Sequence, residues 1–566
     1  MKRKEKSGDG SWCQVCKMLL KYRKLFIGII LCLLCTSIIT FFQPMIIRQI
    51  TDQGMVQKDL QCILFFSGIM VLVSFIQQGV GVIQTRIFSN LHNIMISSLY
   101  EKSYWKLKKL SIQYFDEKGS VEITNTINAD INNVASIANQ ITTFSVSSVL
   151  QIIGGIVGLA LLDWKLALLI VLIIPIKFII VYFFSEKKNE KVEQWIESNR
   201  MFTKWLGDCV SGIREMKLWN LFDVKRKEFE ELQKKMMDSY KENIMLDEYR
   251  TLSIALLDAV LNASLYMLGG MLIVKRELTI GEAFAFITYS GYVVSPISFL
   301  INIKYYFAKI RPSAKRLITF WRQPEEPGIE YKIKSEDFVK ASQVNKAPVI
   351  ELKNVSFGYK ETELVLKDVS FSVQRGEKVA IIGENGSGKS TILNLLTGFY
   401  QPQKGVIKVN ELPLETMNLE KIRNNIAVIS QKPYLFQGTI EDNINIDGKA
   451  SCEQIWNACK KSGALNFINK LEQGLKQEIG QNGAMLSGGE RQKIAVARAL
   501  LKNSEILLMD EATTGFDVES NKAIHNLLYK ELEGITVIFV THKYEELEVV
   551  DRVYKLSEGV LKRYKG

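Results

Sequence analysis

Six apolar stretches dominate the first half of the chain, at about residues 25–47, 60–85, 141–162, 166–184, 252–274 and 281–303. A helix rising ~1.5 Å per residue crosses a ~30 Å hydrocarbon core in about 20 residues, so each stretch predicts one membrane span. Between them the pattern turns polar. Residues 86–140 and 185–251 are long, charged and helix-compatible, with runs such as Lys225-Arg226-Lys227-Glu228-Phe229-Glu230-Glu231-Leu232, and predict helical extensions of the spans beyond the membrane. The short connections 51–59, 163–165 and 275–279 contain only Lys58, Lys165, Lys275 and Arg276, balanced by Asp52, Asp59, Asp163 and Glu277. Residues 1–24 hold eight Lys/Arg against two acids. This asymmetry predicts a multi-pass protein of the cell membrane with both termini cytoplasmic. The run from Leu25 is too long for the apolar core of a signal peptide and is followed by further spans, so it reads as uncleaved.

After residue 303 the pattern changes again. Arg311-Pro312, Pro324-Glu325-Glu326-Pro327-Gly328 and the mixed charges after Lys332 predict a linker over 311–348. From Val349 to Gly566 short β-like runs alternate with helical stretches: Ile350 to Phe357, Val406 to Val409, Ile426 to Ile429 and Ile506 to Met509. The expected architecture is therefore multidomain. An all-α domain of six spans with long cytoplasmic extensions, 25–310, precedes an α/β domain, 349–566, whose core sheet is largely parallel around its phosphate site.

Composition agrees with a membrane half joined to a soluble half. The 566 residues are 47% hydrophobic with mean hydropathy +0.06, yet 23% are charged. The net charge of +12 would suit a nucleic-acid binder, but much of the positive charge sits beside apolar runs, where it sets membrane orientation; no nucleic-acid partner is expected. Eight scattered cysteines give no disulfide framework, and Cys13-x-x-Cys16 lacks the second pair that a zinc site needs.

The candidate chemistry lies in the α/β half. Gly383-Glu384-Asn385-Gly386-Ser387-Gly388-Lys389-Ser390-Thr391 fits the phosphate-binding pattern GxxxxGK[ST], after an apolar strand and before an amphipathic helical run. Glycines let successive backbone N–H groups turn toward anionic oxygens, Lys389 suits the outer phosphates, and the Ser390 hydroxyl suits Mg2+. A chance glycine-rich turn would not need that strand and helix. Asp510 and Glu511 follow the apolar run Ile506 to Met509, at a strand end where a magnesium-holding acid and a water-activating base are required. His542 follows the β-rich run Ile535 to Val540, which places it at the same edge for γ-phosphate contact. In Leu486-Ser487-Gly488-Gly489-Glu490, Ser487 reads as an N-cap with Glu490 completing a capping box; the same helix N-terminus is also a potential second anion site.

Taken together, Tyr359, GENGSGKST at 383–391, Gln431, LSGGE at 486–490, ILLMDE at 506–511 and Thr541-His542 resemble the nucleotide-binding domain of ATP-binding cassette (ABC) transporters. The resemblance extends over nearly the whole chain. Tyr114-Phe115-Asp116 through Asn128-Ala129-Asp130 is similar to the first cytoplasmic loop of the exporters, Ser211 to Lys217 to the second, and the order of spans then cassette is that of an exporter half-transporter. The resemblance implies ATP and Mg2+ as cofactors. It implies that Tyr359 stacks on adenine, that Gln431 contacts Mg2+ or the attacking water, and that Asp517 is an acid communicating between sites. It also implies a second half-transporter subunit, in a homodimer or heterodimer, whose LSGGE closes over this chain's GENGSGKST. Short helices within 114–122 and 211–219 would dock on the cassettes near Gln431 and Gln481.

Three positions depart from the family's usual residues: Glu490 for Gln, Thr514-Gly515-Phe516-Asp517 for Ser-Ala-Leu-Asp, and Gln481 for Glu. None removes a catalytic group. The expected function is ATP-driven export of a small molecule, lipid or peptide by alternating access. The alternatives are siderophore-type import and a membrane sensor that hydrolyses ATP without moving solute. Polar residues within the spans, Gln77, Gln78, Asp258 and Asn262, are candidates to line a pathway or to bond between helices.

Overall fold

The structure is a computed structural model that describes residues 22–136, 140–326, 348–360, 362–511, 532, 534–542, 547 and 550–564. The chain divides into two compact units, 1–106 with 121–322, and 107–120 with 323–566.

The first unit is helical. Its long helices are α1 (Arg23–Gln49), α2 (Leu60–Lys109, whose last residues enter the second unit), α5 (Gln140–Leu162), α6 (Trp164–Ser211), α8 (Phe222–Val274) and α9 (Ile280–Trp321). Each of the six apolar stretches lies inside one of them, and α2, α6, α8 and α9 run on well past the apolar part, as the charged, helix-periodic sequence anticipates. Among the described residues, four helices meet the length and hydropathy of a membrane span: Arg23–Val56, Leu60–Lys109, Ser145–Leu162 and Phe222–Val274. Its shorter helices are α4 (Ser120–Ala135) and α7 (Ile213–Leu218), while α3 (Ile112–Lys118) falls in the second unit.

Small residues let these helices approach closely. A Cβ on Gly158 of α5 would lie 2.5 Å from the Tyr289 ring of α9, and one on Gly155 would lie 2.6 Å from Val293. Polar residues fasten them. Lys177 of α6, 1% exposed, donates to both carboxylate oxygens of Asp258 on α8 (3.1 and 3.2 Å) and to the Val294 carbonyl of α9 (3.0 Å). A buried ammonium needs such partners because its desolvation is costly. Gln77 accepts from Gln43 at 2.8 Å, while Gln78 and Asn262 are exposed on the single chain.

One expectation needs correction. The linker expected from residue 311 starts later, because α9 continues through Pro312 to Trp321. The proline removes one N–H donor, but Ile310, Ala314, Leu317, Ile318 and Phe320 recur at helical spacing and are all buried, so packing sustains the helix. Residues 327–347 lie outside the described set. While the core sheet is largely parallel as expected, the run at Val406 lies in a separate antiparallel sheet. Its strands are ordered β2 (Leu366–Val373), β1 (Ile350–Phe357), β4 (Lys404–Val409), β5 (Leu412–Pro413).

The main sheet of the second unit has the order β10-β9-β3-β8-β7-β6. Its strands are β3 (Lys378–Gly383), β6 (Ile426–Ile429), β7 (Ile506–Asp510), β8 (Thr536–Thr541), β9 (Arg552–Ser557) and β10 (Val560–Arg563). All pairs are parallel except β9 with β10. Helices complete the unit: α10 (Lys389–Leu396), α11 (Leu419–Asn425), α12 (Ile440–Ile444), α13 (Cys452–Lys461), α14 (Leu465–Ile468) and α15 (Gly488–Leu501). Because β3, β7 and β8 are parallel neighbours, their C-terminal ends lie at one edge of the sheet. Ligands in such sheets bind at that edge.

Candidate nucleotide site

The phosphate loop leaves β3 at Gly383 and enters α10 at Lys389. Gly386 and Gly388 adopt φ of +81° and +101°, which side chains rarely tolerate, and a Cβ on Gly383 would sit 2.3 Å from the Leu556 carbonyl of β9. The loop therefore needs its glycines. Lys389 is buried and folds back to donate to the carbonyls of Gly383 (2.9 Å) and Glu384 (2.8 Å). The buried hydroxyl of Ser387 has no hydrogen-bond partner. An orphaned donor, a lysine resting on two carbonyls and the N-terminus of α10 suit an incoming polyphosphate.

At the adjoining strand ends, Asp510 closes β7 and its side chain is hydrogen-bonded with Ser390. Burial pushes the Asp510 carboxyl above the usual aspartate range, and the Ser390 hydrogen bond opposes that rise. Glu511 follows in a left-handed backbone conformation, φ +46°. Its carboxylate, 12% exposed, accepts from Gln431 Nε2 at 2.7 Å and lies 3.4 Å from His542 Nδ1. The side chains of Gln431, Glu511 and His542 thus form one cluster, drawn from residues 80 and 31 positions apart in sequence. Among the described residues no group of three or more His, Cys, Asp or Glu side chains is poised around a metal. The hydroxyl of Ser390, the carboxylate of Asp510 and phosphate oxygens would suit Mg2+, which is content with few protein ligands.

Tyr359 is 47% exposed, donates to or accepts from Thr391 Oγ1 at 3.2 Å, and meets Phe357 and Tyr400 edge-to-face at 5.2 and 5.1 Å. Its ring is held beside the loop and still accessible to a base. Ser487 caps α15: its hydroxyl accepts from the Glu490 N–H (3.3 Å), and the Glu490 carboxylate accepts from the Ser487 N–H at 2.7 Å and from its hydroxyl at 2.9 Å. These bonds are all internal to the cap, with Gly488 and Gly489 in its first turn. The single chain does not join Ser487 to the phosphate loop through them. Asp517 lies outside the described residues.

Some site-shaping residues carry no motif. Gln492, 2% exposed on the inward face of α15, donates to the Ser430 carbonyl at 3.2 Å and so ties the capped helix to the turn that presents Gln431. Only its place in the helical period, three and four residues before the apolar Ala495 and Val496, hinted at burial. The first short helix, α3, meets the cassette at Tyr400, whose hydroxyl donates to Asp116. Both burial and Asp116 raise the Tyr400 phenol above its ordinary value.

Residues 366–514 match the ABC transporter family model, and residues 25–297 match the ABC transporter transmembrane region. The chain belongs to the ABC transporters. It is an ATP-hydrolysing membrane transporter with one membrane region and one nucleotide-binding domain in a single polypeptide. This transporter is 29% identical over 531 residues to the probable multidrug resistance ABC transporter ATP-binding/permease protein YheH of Bacillus subtilis (strain 168), covering 92% of this chain and 74% of that one. It is 28% identical over 521 residues to the ATP-dependent lipid A-core flippase of Pasteurella multocida (strain Pm70), covering 91% and 88%. Its fold matches that of a bacterial Atm1-family ABC exporter solved with ATP bound, at a TM-score of 0.82 and 23% identity, over 95% of this chain and 94% of that one.

Proposed function

We propose that this transporter exports a small molecule, lipid or peptide from the cytoplasmic side of the membrane, as a dimer of two half-transporters driven by ATP. The observation that carries the reading is a membrane region fused to a cassette in which the Glu511 carboxylate is fixed between Gln431 and His542, beside a phosphate loop. Similarity to a flippase and to a multidrug transporter over more than nine-tenths of the chain favours export. Both termini and the cassette face the cytoplasm in this reading, because the basic residues 1–24 share their side with the extensions.

Each residue then has a chemical role. Tyr359 stacks on adenine. The N–H groups of Glu384 to Ser390 and the Lys389 ammonium bind the phosphates, the lysine exchanging two carbonyls for anionic oxygens. Ser390, Asp510 and Gln431 would hold Mg2+, which would neutralise charge developing on the transferred phosphoryl group. Glu511 accepts a proton from the attacking water, with Gln431 and His542 orienting its carboxylate. Ser487 to Glu490 of the second copy cover the nucleotide, and Asp517 contacts the opposite site. Closure of the cassettes switches the spans outward, and hydrolysis resets them.

The test is flux in both directions. Membrane vesicles carrying the transporter are given ATP on the cassette side and offered fluorescent amphiphiles, lipids and peptides. ATP-dependent accumulation in inside-out vesicles is expected, and accumulation only in right-side-out vesicles would reverse the assigned direction. ATPase activity without flux of any class would replace transport by sensing.

A further inference from the structure

We propose that Asp258 of α8 is the recognition point for a transported amphiphile that carries a protonated amine, with Lys177 of α6 holding the carboxylate in place behind it. The inference rests on the transport reading proposed above and names the substrate class.

A charge at membrane depth is costly and calls for a reason. The Lys177 ammonium has three N–H donors, and all are used, on the two Asp258 oxygens (3.1 and 3.2 Å) and on the Val294 carbonyl (3.0 Å). It is also sealed off, its side chain 2% exposed against 35% for Asp258. An anion therefore finds no free donor on it. Each Asp258 oxygen, by contrast, accepts from Lys177 and keeps lone-pair capacity for a second donor.

The pair belongs to a series. Lys188 pairs with Asp247, and Lys191 with Glu242 at 2.6 Å, in the same antiparallel register of α6 against α8. In every pair the lysine stands on α6 and the acid on α8, and the acid is the more exposed: 33% against 18% for Asp247 and Lys188, 57% against 37% for Glu242 and Lys191. Arg250, which lies 3.3 Å from Asp247, is again the less exposed partner at 21%. The formal charges of the three pairs cancel, but the accessible atoms are carboxylate oxygens spread over about 24 Å of α8, from its charged extension to Asp258. Such a row attracts cations and repels anions.

Lipid is not what faces Asp258. At about 3.6 residues per turn, Thr251, Asp258, Asn262 and Tyr266 fall within about 80° of arc on α8. Of these, Thr251, Asn262 and Tyr266 are exposed. A separate arc of Leu252, Leu256, Val260, Met267 and Met271, all more than half exposed, suits hydrocarbon, while Leu261 and Leu265 are buried. The polar arc sets an amide beside the carboxylate and an aromatic ring one turn beyond it, for a cation or an apolar body. An ammonium donating to Asp258 makes a charge-assisted bond that a hydroxyl does not match.

The test uses the full chain in nanodiscs of zwitterionic lipid and three dansyl probes that share one alkyl chain, ending in a primary amine, a hydroxyl or a carboxylate. Probe fluorescence, corrected for the same lipid without protein, gives binding. The amine should bind about tenfold or more tighter than either other probe. Asp258→Asn should raise the Kd of the amine about tenfold and leave the hydroxyl probe within about twofold. Because that variant strands Lys177, the double variant Lys177→Gln with Asp258→Asn, which keeps two amides in contact, should show the same selective loss, and Asp258→Glu should retain amine binding. An amine preference that survives both Asn variants overturns the proposal, as does a parental protein that binds the three probes alike, binds none of them or prefers the carboxylate. Equal loss of all three probes in both variants also overturns it, because the pair would then be a fastening only. Selective amine binding without ATP-dependent accumulation of the amine probe in inside-out vesicles leaves the site standing and removes the export reading instead.

Discussion

Glu511 is held before any substrate arrives, since Gln431 and His542 address its two oxygens from opposite sides of its sequence position. A carboxylate fixed in this way accepts a proton from a water placed against phosphate without first reorganising. Glu511→Gln keeps the size and hydrogen bonding of the side chain but removes the base. Steady-state phosphate release should fall by about 10²- to 10⁴-fold, with trinitrophenyl-ATP binding preserved. Hydrolysis at the parental rate would remove Glu511 from the role of base. At this scale the sequence was informative because motif spacing and strand ends are local, so that Lys389, Ser390, Asp510 and Glu511 could be placed at one sheet edge, where the fold has them. The orphaned Ser387 hydroxyl and the Gln492 tie to Ser430 could not, because both depend on which atoms are buried together.

Among the elements, α5 and α9 depend on the absence of side chains. Tyr289 is fully buried and its ring occupies the volume above Gly158, so a larger residue there has nowhere to go. Gly158→Leu should lower the midpoint of thermal unfolding in nanodiscs, through overpacking worth about 1–3 kcal/mol, whereas substitution at Gly79, which has open space around it, should not. Equal midpoints for the two variants would show that α5 and α9 do not pack as described. The existence and type of the long helices were readable from apolar runs and charged, helix-compatible stretches. Where α9 ends was not, because local proline chemistry and tertiary packing act in opposite directions at Pro312 and packing prevails.

For the whole molecule, the internal cap of Ser487 has a consequence. In the reading proposed above, the phosphate loop of one chain and the capped helix of another make a complete site only in a dimer, so defects in the two motifs should complement. Lys389→Ala and Ser487→Arg homodimers should each hydrolyse ATP poorly, while co-expressed and co-purified mixed dimers, which contain one intact site, should recover part of the parental rate. Mixed dimers as inactive as either parent would argue for sites complete within one chain. The amino-acid sequence by itself determined the order of membrane region and cassette, the helical and strand identity of most elements, and the chemistry of the phosphate edge, since hydrophobic period and motif spacing are local properties. The tertiary structure alone decided the split into a parallel and an antiparallel sheet, the Lys177 to Asp258 fastening of α6 to α8, and the meeting of Asp116 with Tyr400. The side-chain pairings join groups from 81 to 284 residues apart, and no local pattern records which distant groups a fold brings within a hydrogen bond.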